Sequence, residues 1–394
     1  MGLLRILKAV LADPLLVCLL LICAVFAALS VLQYFRAIRP RRGTTEWMEK
    51  VDSKSFSPLR LHRLAGADVI WAVLVALFAA CLRFCYLFFY LQLHHRPGAL
   101  QILMAAQSFF LQRILLCVLF ALSIFFMVRL LCGRPLPAIC AAVAGALIQN
   151  HSNDTAAFLA LSLLLFLCWM GCAHDGGILR GIWLVLSLGF YALTLLSCWE
   201  CAWLCPMYIV GYFATLIQRF RNSETKGRLR KLILSLVTMA FVVPGGCLAL
   251  WLVYAHLSGR AEGGILTAMR TFAFYRQLMP VLKTKVYHLL TRREAFLSYM
   301  VVYESFLLLL GSAACIPLLH RLFREKDSSA LLLLALLVGF SILWVASGVY
   351  LMGIPMLLIL GKLWSCYCQR EMRSFAVLSS CGLMISNVLC MILH

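Results

Sequence analysis

The chain has 394 residues, of which 64% are hydrophobic and 13% are charged, and its formal net charge is +20. This composition excludes an ordinary soluble domain, and apolar stretches of about 20 residues recur along its length. Because a backbone in lipid must satisfy its own hydrogen bonds, these stretches predict helices, and no alternation of period two indicates a barrel. We therefore expect an all-α, polytopic integral membrane helix bundle.

The apolar stretches predict about 12 transmembrane helices. In chain order, the predicted spans are 15–35, 69–92, 112–131, 135–149, 155–172, 181–197, 202–218, 232–256, 298–320, 329–346, 350–364 and 374–393. The loops on one side of this arrangement hold 23 of the 35 Lys and Arg residues, and the loops on the other side hold 11. The richer side is predicted to be cytoplasmic, with both termini outside. The positive charge thus reflects topology and attraction to anionic membrane lipids, and no nucleic-acid partner is expected.

Two domains are predicted. Residues 1–68 form an N-terminal anchor helix and a basic cytoplasmic loop, and residues 69–394 form the membrane domain. A signal peptide is the alternative for the start of the chain. The apolar core is long, however, and the basic stretch R-A-I-R-P-R-R follows it immediately, which favours a retained anchor. Arg83, near the outer end of the second predicted span, is expected to snorkel towards the interface rather than bind substrate.

A long outer segment, residues 258–297, has the pattern of an amphipathic helix followed by a second basic piece. One interpretation is a helix that lies on the outer leaflet with its cations towards the headgroups. The other is a lid whose cations hold a lipid-linked phosphate, because basic side chains pair with phosphate oxygens. The two interpretations are compatible. The candidate substrate-binding cations in this segment are Arg270, Arg276, Lys283 and Lys285.

Carboxylates near the outer side need a reason to be there, because charge is costly in a membrane. Asp154 ends the polar stretch Q-N-H-S-N-D and directly precedes an apolar helix, so it is a candidate catalytic base and also a plain helix cap. His151, in the same stretch, is a candidate substrate-binding residue. Glu200 lies at an outer helix junction and is a second candidate for substrate binding. Glu304, inside its span, is a candidate base or a residue satisfied by a polar neighbour.

The cysteines in S-C-W-E-C-A-W-L-C are the exception among 18 that mostly lie inside apolar spans. Buried thiols behave as small hydrophobes, whereas Cys198 and Cys201 fall at an outer helix junction. A disulfide between them, or a metal site, fits this position. A metal site is disfavoured because further ligands are missing nearby. The sequence carries no cofactor motif.

Three stretches resemble a known superfamily. They are R-I-L-L-C-V-L-F-A-L-S-I-F-F-M-V-R-L-L-C-G-R-P-L-P-A-I-C-A-A-V-A-G-A-L-I-Q-N-H-S-N-D-T-A-A-F-L-A-L-S-L-L-L-F-L, G-I-W-L-V-L-S-L-G-F-Y-A-L-T-L-L-S-C-W-E-C-A-W-L-C-P-M-Y-I-V-G-Y-F-A-T-L-I-Q-R-F-R and G-V-Y-L-M-G-I-P-M-L-L-I-L-G-K-L-W. Together they resemble the GT-C glycosyltransferases, closest to the protein mannosyltransferase and aminoarabinose transferase type. The turn Cys132-Gly133-Arg134 and the helix-opening Asp154 match landmarks of that family.

The resemblance implies transfer of a sugar from a polyprenyl-phosphate donor to a protein, lipid or glycan acceptor at the outer membrane face. It leaves a divalent cation open as a cofactor, and it favours a bacterial plasma membrane over the endoplasmic reticulum. Such enzymes carry an acidic residue in the first outer loop, but here L-Q-L-H-H-R-P-G-A-L-Q-I-L-M-A-A-Q-S-F-F-L-Q has none, so His94 becomes a catalytic candidate, with His95 beside it. The alternatives are a secondary transporter, which should show inverted repeats and broken helices, and a catalytically inactive GT-C-like scaffold of a glycan-assembly complex.

Overall fold

The structure, a computed structural model, describes residues 14–38, 59, 61–94, 107–148, 154–171, 178–212, 305–347, 349–369 and 373–393, with isolated positions between 233 and 249. Helices dominate this part of the chain, and no strand occurs in it. The long helices are α1 (Pro14–Ile38), α2 (Gly66–His94), α3 (Gln107–Cys132), α4 (Pro135–Ala146), α5 (Asp154–Gly171), α6 (Ile178–Ser197), α7 (Ser305–Glu325), α8 (Ser328–Ser347), α9 (Gly353–Gln369) and α10 (Arg373–Leu393).

Six of the described helices are long and apolar enough to cross a membrane: parts of α2, α3, α7 and α8, the whole of α5, and nearly the whole of α6. This confirms the predicted class, an all-helical membrane protein with several spans. The helices also coincide with predicted apolar stretches, because continuous apolar sequence in lipid has little choice but helix. The total of about 12 spans stays a prediction.

Helix α4 is shorter than its predicted span of 135–149. Its 12 residues extend over about 18 Å, which is too short for a hydrocarbon core of about 30 Å. Its alanines are buried, and it packs against α2, α3, α9 and α10. Small side chains allow this close approach, since a side chain at Gly145 would already touch Phe120 and Leu357. Among the described residues α4 is therefore a core helix rather than a full span.

The chain divides into two compact units. The first contains residues 1–153, 292–334 and 353–394, and the second contains residues 154–291 and 335–352. In the first unit, α9 packs against α1, α3, α4, α7 and α10. It is buried on all sides, with Leu357, Ile359 and Trp364 at most 1% exposed, as expected for a helix that is apolar all round.

The turn between α3 and α4 fixes one end of the first unit. Gly133 has a φ of +73°, a conformation that favours glycine, and its backbone lies directly against the ring of His62. The backbone N–H of His62 donates to the carbonyl of Leu130 at 2.9 Å, and Nη1 of Arg134 donates to the carbonyl of Cys368 at 2.9 Å. This short turn therefore ties the segment before α2 and the end of α9 to the α3–α4 hairpin.

We expect Gly133→Ala to destabilise the protein by at least about 1 kcal/mol, because a β-carbon disfavours the positive φ. An added Cβ would also lie 2.7 Å from the His62 ring, so the ring must move. Thermal unfolding of the purified protein in detergent measures the effect. Gly189→Ala is the matched control, because its Cβ would meet open space within α6, and it should be neutral or stabilising.

Removing the His62 ring separates the two causes in this prediction. In a His62→Ala background, Gly133→Ala should lose its steric part and keep its backbone part. An equal effect in both backgrounds would contradict the contact between the ring and the turn.

A buried ion pair joins α2 to α3 at the same end of the first unit. Nε of Arg129 donates to Oδ1 of Asp68 at 2.7 Å, and both side chains are almost fully buried. The other carboxylate oxygen accepts the backbone N–H of Ala65 at 2.6 Å, so Asp68 also caps the first turn of α2. Nη1 of Arg129 has no hydrogen-bond partner among the described residues. Asp68 is therefore the counter-ion that offsets the cost of burying the charge of Arg129.

A second charged cluster links α7, α8 and α9. Arg321 pairs with Glu325 at 2.9 Å, and Nζ of Lys362 lies 3.7 Å from Oδ2 of Asp327. Asp327 accepts the backbone N–H and the hydroxyl of Ser329, which caps α8. Burial opposes ionisation, but Lys362, the Ser329 hydroxyl and Arg321 hold the pKa of Asp327 below its ordinary value. Several loops that were predicted to share the cytoplasmic side thus meet at one end of the first unit.

Candidate functional site

The second unit is built on the hairpin of α5 and α6. Ser162 and Ser187 are fully buried and bond reciprocally, since each hydroxyl donates to the other residue's carbonyl, at 2.7 and 2.8 Å. The hydroxyl of Tyr208 adds a bond of 2.7 Å to Ser162. Polar groups buried in this way are favourable only when each has a partner. The network therefore fixes the two helices and the segment after them in one register.

Asp154 opens α5 at one end of this hairpin. Its side chain is half-buried and is the acidic residue of the first helical turn, where a carboxylate meets the positive end of the helix dipole. The next residue, Thr155, shares a hydrogen bond of 2.6 Å with Ser197, the last residue of α6. That bond brings the start of α5 beside the end of α6.

Glu200 follows α6 at the same end of the hairpin. It lies in the 3-10 helix Trp199–Leu204, with an exposed side chain whose Oε2 accepts a weak bond from the thiol of Cys198 at 3.3 Å. The hydroxyl of Tyr191 donates to the carbonyl of Cys201 at 2.8 Å, which holds the short helix against α6. The sequence-predicted residues Asp154 and Glu200 are therefore brought to one end of one hairpin, each next to a residue that is anchored by hydrogen bonds.

Two carboxylates, one half-buried and one exposed, define what this end of the hairpin can do. The half-buried one can accept a proton from a ligand hydroxyl, and the exposed one can accept hydrogen bonds from a polar ligand. Together they attract cations. The described residues contain no group of three or more His, Cys, Asp and Glu side chains suited to a metal ion. A divalent cation would need most of its ligands from water or substrate, so the described side chains do not form a metal site.

The two cysteines of the junction are placed to react with each other. A short turn joins them, in which the backbone N–H of Cys201 donates to the carbonyl of Cys198 at 3.2 Å. Such an i to i+3 turn keeps the Cα atoms within about 7 Å, which suits a disulfide. The hydrogen bond with Cys198 and burial raise the pKa of the Cys201 thiol well above its ordinary value. Cys198, the less buried of the two, is then the thiol that reagents reach first.

We expect mild oxidation with diamide to join Cys198 to Cys201. Intact-protein mass should fall by two hydrogens, and peptide mapping should find the linked pair. Cys198→Ser is the test variant, and Cys381→Ser, which removes an exposed cysteine in α10, is the control. A disulfide that forms elsewhere while Cys198 stays reactive would contradict the geometry.

The remaining sequence-predicted site residues are not brought to this hairpin by anything the structure describes. His94 is the last residue of α2, and its side chain lies outside the described ones. His151, Arg270, Arg276, Lys283, Lys285 and Glu304 lie outside the described residues altogether. The two interpretations of the 258–297 segment, a surface helix and a lid, therefore stay predictions.

Sequence reasoning missed the serine and tyrosine network and the Thr155–Ser197 bond. Single serines in apolar helices carry no visible signal, because only the helix pairing shows which hydroxyls meet. The structure also differs from the expectation for the side chain of Arg83. Snorkelling was expected there, but the side chain is buried, with 9% exposure.

Comparison with protein-family models, with curated proteins and with solved structures finds nothing that matches this chain. What the protein does must therefore be argued from its own residues.

Proposed function

We propose that the protein transfers a sugar from a polyprenyl-phosphate donor to a protein, lipid or glycan acceptor at the outer face of a membrane. The observation that carries this proposal is the half-buried carboxylate of Asp154 at the start of a membrane-crossing helix, beside the anchored turn that bears Glu200. A carboxylate in this position combines partial shielding from water with access to a ligand. Capping alone would be served equally well by an asparagine or a serine.

The reaction assigns one role to Asp154. Its carboxylate accepts the proton of the acceptor hydroxyl as that oxygen attacks the anomeric carbon of the sugar. The bond between the anomeric carbon and the phosphate oxygen breaks, and the polyprenyl phosphate leaves with the electron pair. Glu200 hydrogen-bonds sugar or acceptor hydroxyls. The leaving phosphate needs cations, and the basic residues of the 258–297 segment are our candidates for that role.

The resemblance of the α3–α6 sequence to the GT-C superfamily supports this choice, and the same resemblance favours a bacterial plasma membrane over the endoplasmic reticulum. In that setting the donor is a lipid-linked sugar, which reaches the site from the outer leaflet. The long basic outer segment fits such a donor better than it fits the solute of a transporter.

The test is transfer by the purified wild-type protein in nanodiscs. Short-chain polyprenyl-phosphate sugars serve as donors, and a membrane extract together with defined peptides, lipids and glycans serves as acceptors. We expect label to move from the donor to one acceptor class, with free polyprenyl phosphate released in equal amount. Absence of transfer and of donor hydrolysis across this panel would contradict the proposal and would leave the inactive scaffold as the better interpretation.

A further inference from the structure

The buried face of α2 carries a charge at each end. Asp68, Ala72, Val75, Ala79 and Arg83 recur at helical spacing, and all five are buried. This face packs against α3 and α4 within the first unit. Asp68 is neutralised by Arg129. Arg83, at the other end of the same face, needs a partner of its own.

Contacts between α2 and α3 show what lies opposite Arg83. The Asp68–Arg129 pair marks one level of the α2–α3 packing, and the thiol of Cys117 against the carbonyl of Ala79, at 4.0 Å, marks another. Residue numbers rise along α2 as they fall along α3, so the helices are antiparallel. Arg83, four residues after Ala79, therefore lies at the level of Arg113, four residues before Cys117. Arg113 is indeed close enough to act on Arg83 electrostatically.

The register thus places two cations at one level, and no described residue compensates the charge of Arg83. Its Nε is buried and has no hydrogen-bond partner among the described residues, and no described carboxylate pairs with it. The guanidinium carbon lies 5.0 Å from the centre of the Tyr86 ring, a contact that orients the group without neutralising it. A buried charge that lacks a counter-ion is strongly unfavourable. The arrangement therefore calls for an anion.

The depth of Arg83 identifies the kind of anion. Asp68 and Arg83 are 15 residues apart on one helix, a distance of about 22 Å along its axis. With Asp68 at one boundary of a hydrocarbon core of about 30 Å, the backbone of Arg83 lies about 8 Å inside the opposite boundary, roughly the reach of an arginine side chain. The anions concentrated at that boundary are lipid phosphates.

We propose that Arg83 and Arg113 form a binding site for the phosphate group of a membrane lipid. The phosphate oxygens accept hydrogen bonds from the Arg83 guanidinium, whose flat donor fork matches phosphate geometry, and Arg113 adds the second charge. Two lipids carry this chemistry, a phospholipid with its phosphodiester and a polyprenyl phosphate with its monoester. The site stands independently of sugar transfer by Asp154.

The experiment measures lipid binding to the delipidated protein in detergent by native mass spectrometry. The probes are phosphatidylglycerol, farnesyl phosphate and a neutral diacylglycerol, each titrated separately. The wild type should bind one phosphate lipid at much lower concentration than diacylglycerol. Arg83→Gln and Arg113→Gln should each weaken binding of phosphate lipids by about 10-fold or more, as expected for loss of a charge-assisted contact. Arg324→Gln, which removes an exposed arginine in α7, should leave it unchanged.

Thermal unfolding gives a second readout for a variant whose lipid binding alone is hard to interpret. Without lipid, Arg83→Gln should unfold at the same temperature as the wild type or higher, because it removes an uncompensated charge. Addition of the phosphate lipid should then raise the unfolding temperature of the wild type only. Tighter binding of farnesyl phosphate would identify the monoester as the ligand, and tighter binding of phosphatidylglycerol would identify a structural phospholipid. Wild-type binding in both arginine variants, or equal affinity for diacylglycerol, would overturn the site, whatever the outcome of the transfer assay.

Discussion

Asp154→Asn should reduce sugar transfer by about 100-fold or more while leaving expression and thermal unfolding unchanged. The size follows from general-base catalysis, which contributes roughly 10²–10⁴ to a rate, and asparagine accepts no proton near neutral pH. The unchanged stability follows from capping, since asparagine caps a helix about as well as aspartate. The measurement compares initial rates of transfer with the amount of folded protein.

Two variants serve as controls for Asp154→Asn. Asp154→Ser keeps a capping side chain but lacks a base. We therefore expect it to fold like the wild type and to lose sugar transfer to the same extent as Asp154→Asn. Glu200→Gln keeps hydrogen bonding at an exposed position and should change the rate much less, mainly through substrate affinity. If Asp154→Asn transfers at the wild-type rate, Asp154 is a helix cap only. His94, His95 and Glu304 then remain as candidate bases.

The helical architecture was predictable because lipid leaves a backbone few alternatives. Apolar run lengths located α2, α3, α5, α6 and α8 to within a few residues of their observed bounds. They did not distinguish a span from a core helix, as α4 shows. Its sequence is as apolar as that of its neighbours, but only the packing reveals that four helices surround it.

The candidate site was predictable in part, for a related reason. Asp154 and Glu200 stand out because carboxylates are rare in this chain, and helix connectivity places both at one end of a hairpin. Side-chain partners across helices were not predictable. Whether Arg83 reaches water or is buried depends on how α2 rotates against α3, and no pattern along one helix encodes that rotation. The Asp68–Arg129 pair depends on the same packing, although its two members lie near the ends of neighbouring spans.

Asp68→Asn should destabilise the protein by about 3–5 kcal/mol, the usual cost of breaking a buried ion pair from one side. The substitution is nearly isosteric, but the amide has one acceptor oxygen where the carboxylate has two, so it removes the charge and also leaves either Arg129 or Ala65 without its acceptor. Arg129 is then left buried without a counter-ion, and its Nη1 already lacks a hydrogen-bond partner among the described residues. Chemical denaturation in mild detergent, followed by tryptophan fluorescence, gives the change in the free energy of unfolding.

A double-mutant cycle decides whether the pair itself is responsible. Arg129→Met alone leaves the Asp68 carboxylate buried without a counter-ion, and Asp68→Leu alone does the same to Arg129, whereas the double variant with both substitutions removes both charges and should recover much of the lost stability. Glu325→Gln is the control for a more exposed helical pair, because Arg321 keeps Asp327 nearby, and it should cost no more than about 0.5 kcal/mol. If the double variant is as unstable as the sum of the single variants, the two residues are not coupled. The contact between α2 and α3 would then depend on the apolar face of α2, and the register that places Arg83 opposite Arg113 would lose one of its two fixed points.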